Sequence, residues 1–131
     1  MSLDAGATLS NLNPTQATGN INMTRVFNQQ TGPFPISGSF TSGTGTIIAS
    51  FSGTYEPNGS GLAYITFQVD STTVYTFVMY INQPNVIVPA CTNFTFSTTA
   101  GTHTFTISVT NSNWVTSSSD RYNLTLIELP V

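Results

Sequence analysis

From Ile36 onward, apolar residues recur either at every second position or in short solid blocks, and each run is closed by Gly, Pro, Asn, Asp or Ser. The pattern predicts strands over 36–41, 46–55, 62–69, 73–81, 86–91, 94–97, 102–110 and 122–129. The dividers have turn chemistry: Ser42-Gly43-Thr44-Gly45, the segment 56–61, Asp70-Ser71, Asn82-Gln83-Pro84-Asn85, Thr99-Ala100-Gly101 and the polar run 111–120. No ten-residue segment carries a helical period. About eight strands at this spacing imply an all-β, antiparallel sandwich or barrel with hardly any helix.

Within a strand, alternation also assigns faces. Over 102–110, His103, Phe105, Ile107 and Val109 share one face, and Thr102, Thr104, Thr106, Ser108 and Thr110 share the other, which predicts a half-buried strand. The run 73–81 differs, because Tyr75, Phe77, Met79 and Ile81 lie opposite Val74, Val78 and Tyr80. A strand apolar on both faces needs a second cover. Either a neighbouring subunit supplies it, making Val74, Tyr75, Phe77, Val78, Met79 and Tyr80 an oligomer interface, or an arm or loop of the same chain does.

Residues 1–33 show no period of 2 or 3.6. They read as an extended N-terminal arm ahead of a sandwich over 34–131, with Leu9, Leu12, Ile21, Met23 and Phe27 as scattered anchors that gain burial only on another surface.

Charge narrows the function. Charged residues make up 5 % of the 131, Arg25 and Arg121 are the only cations, and there is no lysine. That excludes a nucleic-acid interface and a polybasic membrane anchor. No apolar run reaches the length of a membrane span, and the N-terminus shows neither the basic segment nor the apolar run of a signal peptide. Polarity comes from 15 Ser, 23 Thr and 12 Asn, a composition that suits strands and turns. The single cysteine, Cys91, excludes an intrachain disulfide and reads as a small buried hydrophobe.

Catalysis requires titratable groups, and the supply is one His, one thiol and five dispersed carboxylates. A Ser, His103 and Asp120 triad can be written, but His103 alternates in phase with Phe105 and Ile107 and reads as a cap on the core face. No spacing suggests a metal ligand set or a cofactor cradle, so the expectation is a non-enzyme without cofactor. Trp114, in the polar run 111–120, is either a lid on the end of the sandwich or an exposed ring for stacking on a sugar or anchoring an interface.

Four stretches bear on ancestry: Val88-Pro89-Ala90, the strand around Phe94-Thr95-Phe96, Thr99-Ala100-Gly101-Thr102-His103-Thr104-Phe105, and Asp120-Arg121-Tyr122-Asn123-Leu124-Thr125-Leu126-Ile127-Glu128-Leu129. Together, over residues 86–130, they resemble the closing half of the tumour-necrosis-factor-like jelly rolls of tailed-bacteriophage virion proteins. Leu126 stands where Val is commoner, and no collagen-like or heptad stalk precedes the domain. The resemblance implies a jelly-roll homotrimer. The expected role is a head-decoration (cement) protein on the virion surface, assembled in the host cytoplasm, with the major capsid protein or another virion protein as partner. The alternative is a spike or fibre-tip module that binds a receptor or host glycan.

Overall fold

The computed structural model describes residues 21–110 and 118–130. Eight strands follow in order: β1 (Asn22–Thr31), β2 (Ile36–Ser42), β3 (Thr46–Tyr55), β4 (Gly61–Val69), β5 (Thr72–Ile81), β6 (Val88–Ser97), β7 (Gly101–Val109) and β8 (Arg121–Glu128). They form two four-stranded antiparallel sheets, β1-β8-β3-β6 and β2-β7-β4-β5. This is a jelly roll, and the described residues contain no helix.

Only β4 and β5 are joined by a tight hairpin. Asp70 (φ 50°) and Ser71 (φ 71°) both occupy the left-handed region, the mirror-image turn whose twist matches that of the strands. At the same end of the molecule, Glu128 lies nearly buried and accepts the amides of Gly43 and Gly45, each at 2.9 Å, which fixes the β2–β3 turn against β8. Gly45 is required there because a Cβ would strike the Leu129 carbonyl.

The core consists of the inward rows of both sheets. Phe67 on β4 is fully buried and packs its ring against Phe51 of β3 (5.2 Å between centroids) and Phe94 of β6 (4.9 Å). Tyr75 of β5 stacks on Phe94 at 4.6 Å, and Phe34 stacks on Tyr122 at 4.7 Å.

Two expectations need correction at the strand level. The segment 22–31, read from sequence as the end of an arm, is an edge strand paired with β8, and Phe27 is a core residue at 2 % exposure. Its register slips between Arg25 and Phe27 and again between Phe27 and Gln30, and these irregularities erase the period of two. Ile21 and Met23 point to solvent at 63 % and 69 % exposure, and Leu9 and Leu12 lie outside the described residues. The separate strands expected at 86–91 and 94–97 are one, β6, because the polar pair Thr92-Asn93 continues the alternation. Thr92 points inward and donates to the Tyr75 hydroxyl at 3.4 Å, whereas Asn93 faces out and accepts from Ser50 at 2.6 Å. The same alternation turns Cys91 outward, so it is exposed rather than buried.

His103 caps the core face, and it also staples three elements. Its Nδ1 lies 2.5 Å from Asp70 Oδ2 and its Nε2 lies 2.7 Å from the Thr99 carbonyl, both acceptors, so the geometry suits a ring that donates from both nitrogens. Asp70 Oδ1 accepts the Thr104 amide at 2.9 Å, and the Asp70 amide donates to the Thr104 carbonyl at 2.9 Å. The β4–β5 turn is thereby tied to β7 and to the β6–β7 turn. The hydrogen bond to Asp70 raises the His103 pKa above 6.5, helped by the Thr99 carbonyl. The same bond, followed by the Thr104 amide, lowers the Asp70 pKa below 3.8.

Truncating Phe67 to Ala should lower the unfolding free energy by about 3–5 kcal/mol in urea denaturation, the cost of a large buried void. A nearly unchanged midpoint would show that the ring is not central to the core. The staple predicts a pH signature. A raised His pKa stabilises below the unfolded value of 6.5 and is lost as pH rises through the folded value, while a lowered Asp pKa stabilises above 3.8 and is lost as pH falls. The stability gap between wild type and Asp70→Asn should therefore be widest between these two values and shrink toward alkaline pH. A gap that stays flat from mildly acidic to alkaline pH would contradict a charged staple.

Candidate functional site

Three carboxylates, Asp70, Asp120 and Glu128, turn onto backbone amides of neighbouring turns and strands. Asp120, buried, accepts the Glu56 amide at 3.0 Å, the Thr54 hydroxyl at 3.3 Å and the Tyr122 hydroxyl at 3.5 Å. Thr54 Oγ1 in turn accepts the Arg121 amide at 3.2 Å, so the carboxylate closes the β3–β4 loop over the start of β8. Burial, reinforced by the Asp120 charge, pushes the Tyr55 phenol up to about 12. The carboxylate beside His103 is that of Asp70, not Asp120. Among the described residues no cluster of three or more His, Cys, Asp or Glu side chains could hold a metal ion. These groups act as acceptors that lock turns, which is a structural use.

The outer face of β4 and β5 is different. Four large apolar side chains point outward from adjacent strands: Leu62 is 48 % exposed, Tyr64 36 %, Val78 50 % and Tyr80 69 %. Leu62 lies opposite Tyr80 and Tyr64 opposite Val78, so the two phenol rings are diagonal neighbours on one ribbon. Directly opposed side chains on such a pair have Cβ atoms about 5 Å apart, and diagonal ones stand at roughly 7–8 Å. Four side chains at these spacings form one patch.

Farther along the same face the chemistry becomes hydroxyl-rich. Thr66 sits between Thr76 on β5 and Ser108 on β7, and Gln68 lies opposite Thr106, whose hydroxyl is 3.0 Å from that of Ser37 on β2. None of these residues is charged. The two arginines occupy outward positions on the other sheet, where Arg25 lies opposite Thr125 and Arg121 opposite Thr31.

The position of the patch follows from the inward row of β4. Ala63, Ile65 and Phe67 are fully buried, so the period of two sends Leu62 and Tyr64 to solvent. The strand begins beside the loop 56–60, which the Asn85 amide joins to the β5–β6 connection by donating to the Pro57 carbonyl at 2.8 Å. Val86 and Ile87, in that connection, are also exposed.

The six residues expected at an oligomer interface therefore divide. Tyr75, Phe77, Met79 and Val74 are partly buried against the core, whereas Val78 and Tyr80 face solvent beside Leu62 and Tyr64. Leu62 and Tyr64 were not picked out from sequence, although Leu62 to Phe67 shows the same two-faced apolarity that drew attention to β5. Trp114 lies outside the described residues.

No family model matches the chain, and no curated protein matches it in sequence. In structure it is similar to a region of dimeric latent PorU from Porphyromonas gingivalis, with a TM-score of 0.55 and 6 % identity over 87 % of this chain and 13 % of that one. It is also similar to a family 35 carbohydrate-binding module from an environmental isolate (TM-score 0.49, 12 % identity, 91 % of this chain and 85 % of that one). A third similar structure is the CBM36-1 domain of a multidomain xylanase from the hindgut metagenome of Trinervitermes trinervoides (0.47, 16 %, 86 % and 99 %). What is shared is the jelly-roll fold. The tumour-necrosis-factor-like phage kinship implied by residues 86–130 finds no counterpart among these structures. The expected head-decoration role is not upheld: these similar structures are carbohydrate-binding modules and a region of PorU, not virion proteins.

Proposed function

We propose that the protein is a non-catalytic carbohydrate-binding module that takes an uncharged glycan on the outer face of β4 and β5. The observation that carries this reading is the diagonal pair Tyr64 and Tyr80, flanked by Leu62 and Val78 on a stiff antiparallel ribbon. A pyranose ring has a face made of C–H bonds and a rim of hydroxyls. A tyrosine presents a flat apolar ring with a polar tip and loses little side-chain freedom on stacking. Both rings are carried by paired backbone rather than by a loop, so the platform is already formed before the ligand arrives.

The neighbouring positions supply the other half of the recognition. Thr76, Gln68 and Ser108 offer neutral donors and acceptors to sugar hydroxyls, and among the described residues the ladder positions on this face carry no charge. A neutral ligand is the chemistry that fits, and its binding should be nearly indifferent to salt.

A panel of neutral and acidic polysaccharides in affinity electrophoresis or on a glycan array tests the reading. The wild type should be retained by at least one neutral glycan. Tyr80→Ala and Tyr64→Ala should each weaken retention by about tenfold, the equivalent of roughly 1.4 kcal/mol, with the β circular-dichroism spectrum unchanged. Retention by none of the panel, or retention that survives both substitutions, would refute the platform.

A further inference from the structure

The four sheet edges are not equally guarded. β1 is broken by two register slips and carries Arg25, β2 spans seven residues and starts directly after Pro35, and β6 contains Pro89. Each of these features discourages another chain from adding a strand. β5 is the least guarded: its ten residues, Thr72–Ile81, include no charge, no proline and no glycine, and its single register slip, which leaves Val74 unpaired between the partners of Phe67 and Gln68, lies at the turn end. Among the described residues its only ladder partner is β4, which leaves one row of backbone amides and carbonyls without a strand beside it.

We propose that β5 pairs antiparallel with β5 of a second copy, joining two four-stranded sheets into one of eight. A second copy is the occupant that matches. It brings an edge of the same length and, because the strand is uncharged, no like charges are opposed across the two-fold axis. The contact is isologous and closes on itself, so it stops at a dimer and does not propagate. Ten residues at about 3.3 Å give a seam of roughly 33 Å. With the side chains flanking it on both faces, such a seam buries on the order of 1,000 Å² in total, at the low end of specific interfaces, so the dimer should be reversible with micromolar affinity. Pairing replaces the trimer implied by sequence resemblance with a dimer. It is independent of glycan binding, because the platform faces outward from the sheet in either state.

Sedimentation velocity of the full chain, from low micromolar to several hundred micromolar, tests the proposal. The wild type should pass reversibly from the chain mass to twice that mass. Thr76→Lys, an exposed outward position on β5, should weaken association at least tenfold by placing like charges at the seam. Thr95→Lys, which adds the same charge to the exposed face of β6, should leave it unchanged. Circular dichroism confirms that both variants fold. A wild type that stays monomeric over the whole range, as it would if residues of the same chain covered the edge, overturns the proposal. So does a dimer that Thr76→Lys leaves intact.

Discussion

The two sheets hold together because a continuous row of aromatic rings runs between them, with Phe67 touching rings from β3, β5, β6 and β7. There is no disulfide and no helix among the described residues, and the chain has few ions, so burial of this row is the chief force that closes the sandwich. Everything outside follows from it. Once the rings fix which alternate residues point inward, the strand period determines the remainder, and the patch at Leu62, Tyr64, Val78 and Tyr80 is what the core leaves over on β4 and β5.

The scarce charges are used where the backbone needs acceptors. Glu128 takes two turn amides, Asp120 takes one amide and two hydroxyls, and Asp70 takes an amide and an imidazole. A carboxylate accepting from fixed donors holds a turn more firmly than a surface ion pair does. The consequence is a β2-β7-β4-β5 outer face whose described ladder positions are hydroxyl, amide, aromatic and aliphatic groups.

Much of this architecture could be read from the chain, and the failures have physical causes. The strands β2 to β5, β7 and β8 were legible because each is an apolar run, alternating or solid, bounded by turns that carry Gly, Pro, Asn or Asp. β1 was hidden by its bulges, and β6 was split because Thr92 and Asn93 look like a break when only the polarity of single residues is read. The count of eight survived because one strand was missed and another was divided. β5 showed its two-faced apolarity plainly. Which of its faces belongs to the core depends on the partner strand, and that information is non-local. The same limit hid the Asp70–His103 pair, whose members are far apart in the chain and meet only when β7 lies beside β4.

The pairings β4·β5, β3·β6, β2·β7 and β1·β8 are nested one inside another, like a single long hairpin folded over on itself. Only the innermost pair is local. The outermost joins Asn22 to Glu128 across most of the chain. Because loop closure costs more as the separation grows, the order in which contacts become affordable runs outward from the Asp70-Ser71 turn. On a ribosome this topology makes β1 wait unpaired until the last strand has been synthesised. The bulges and arginine that guard it in the finished sheet then serve the nascent chain as well, during the interval when its eventual partner does not yet exist.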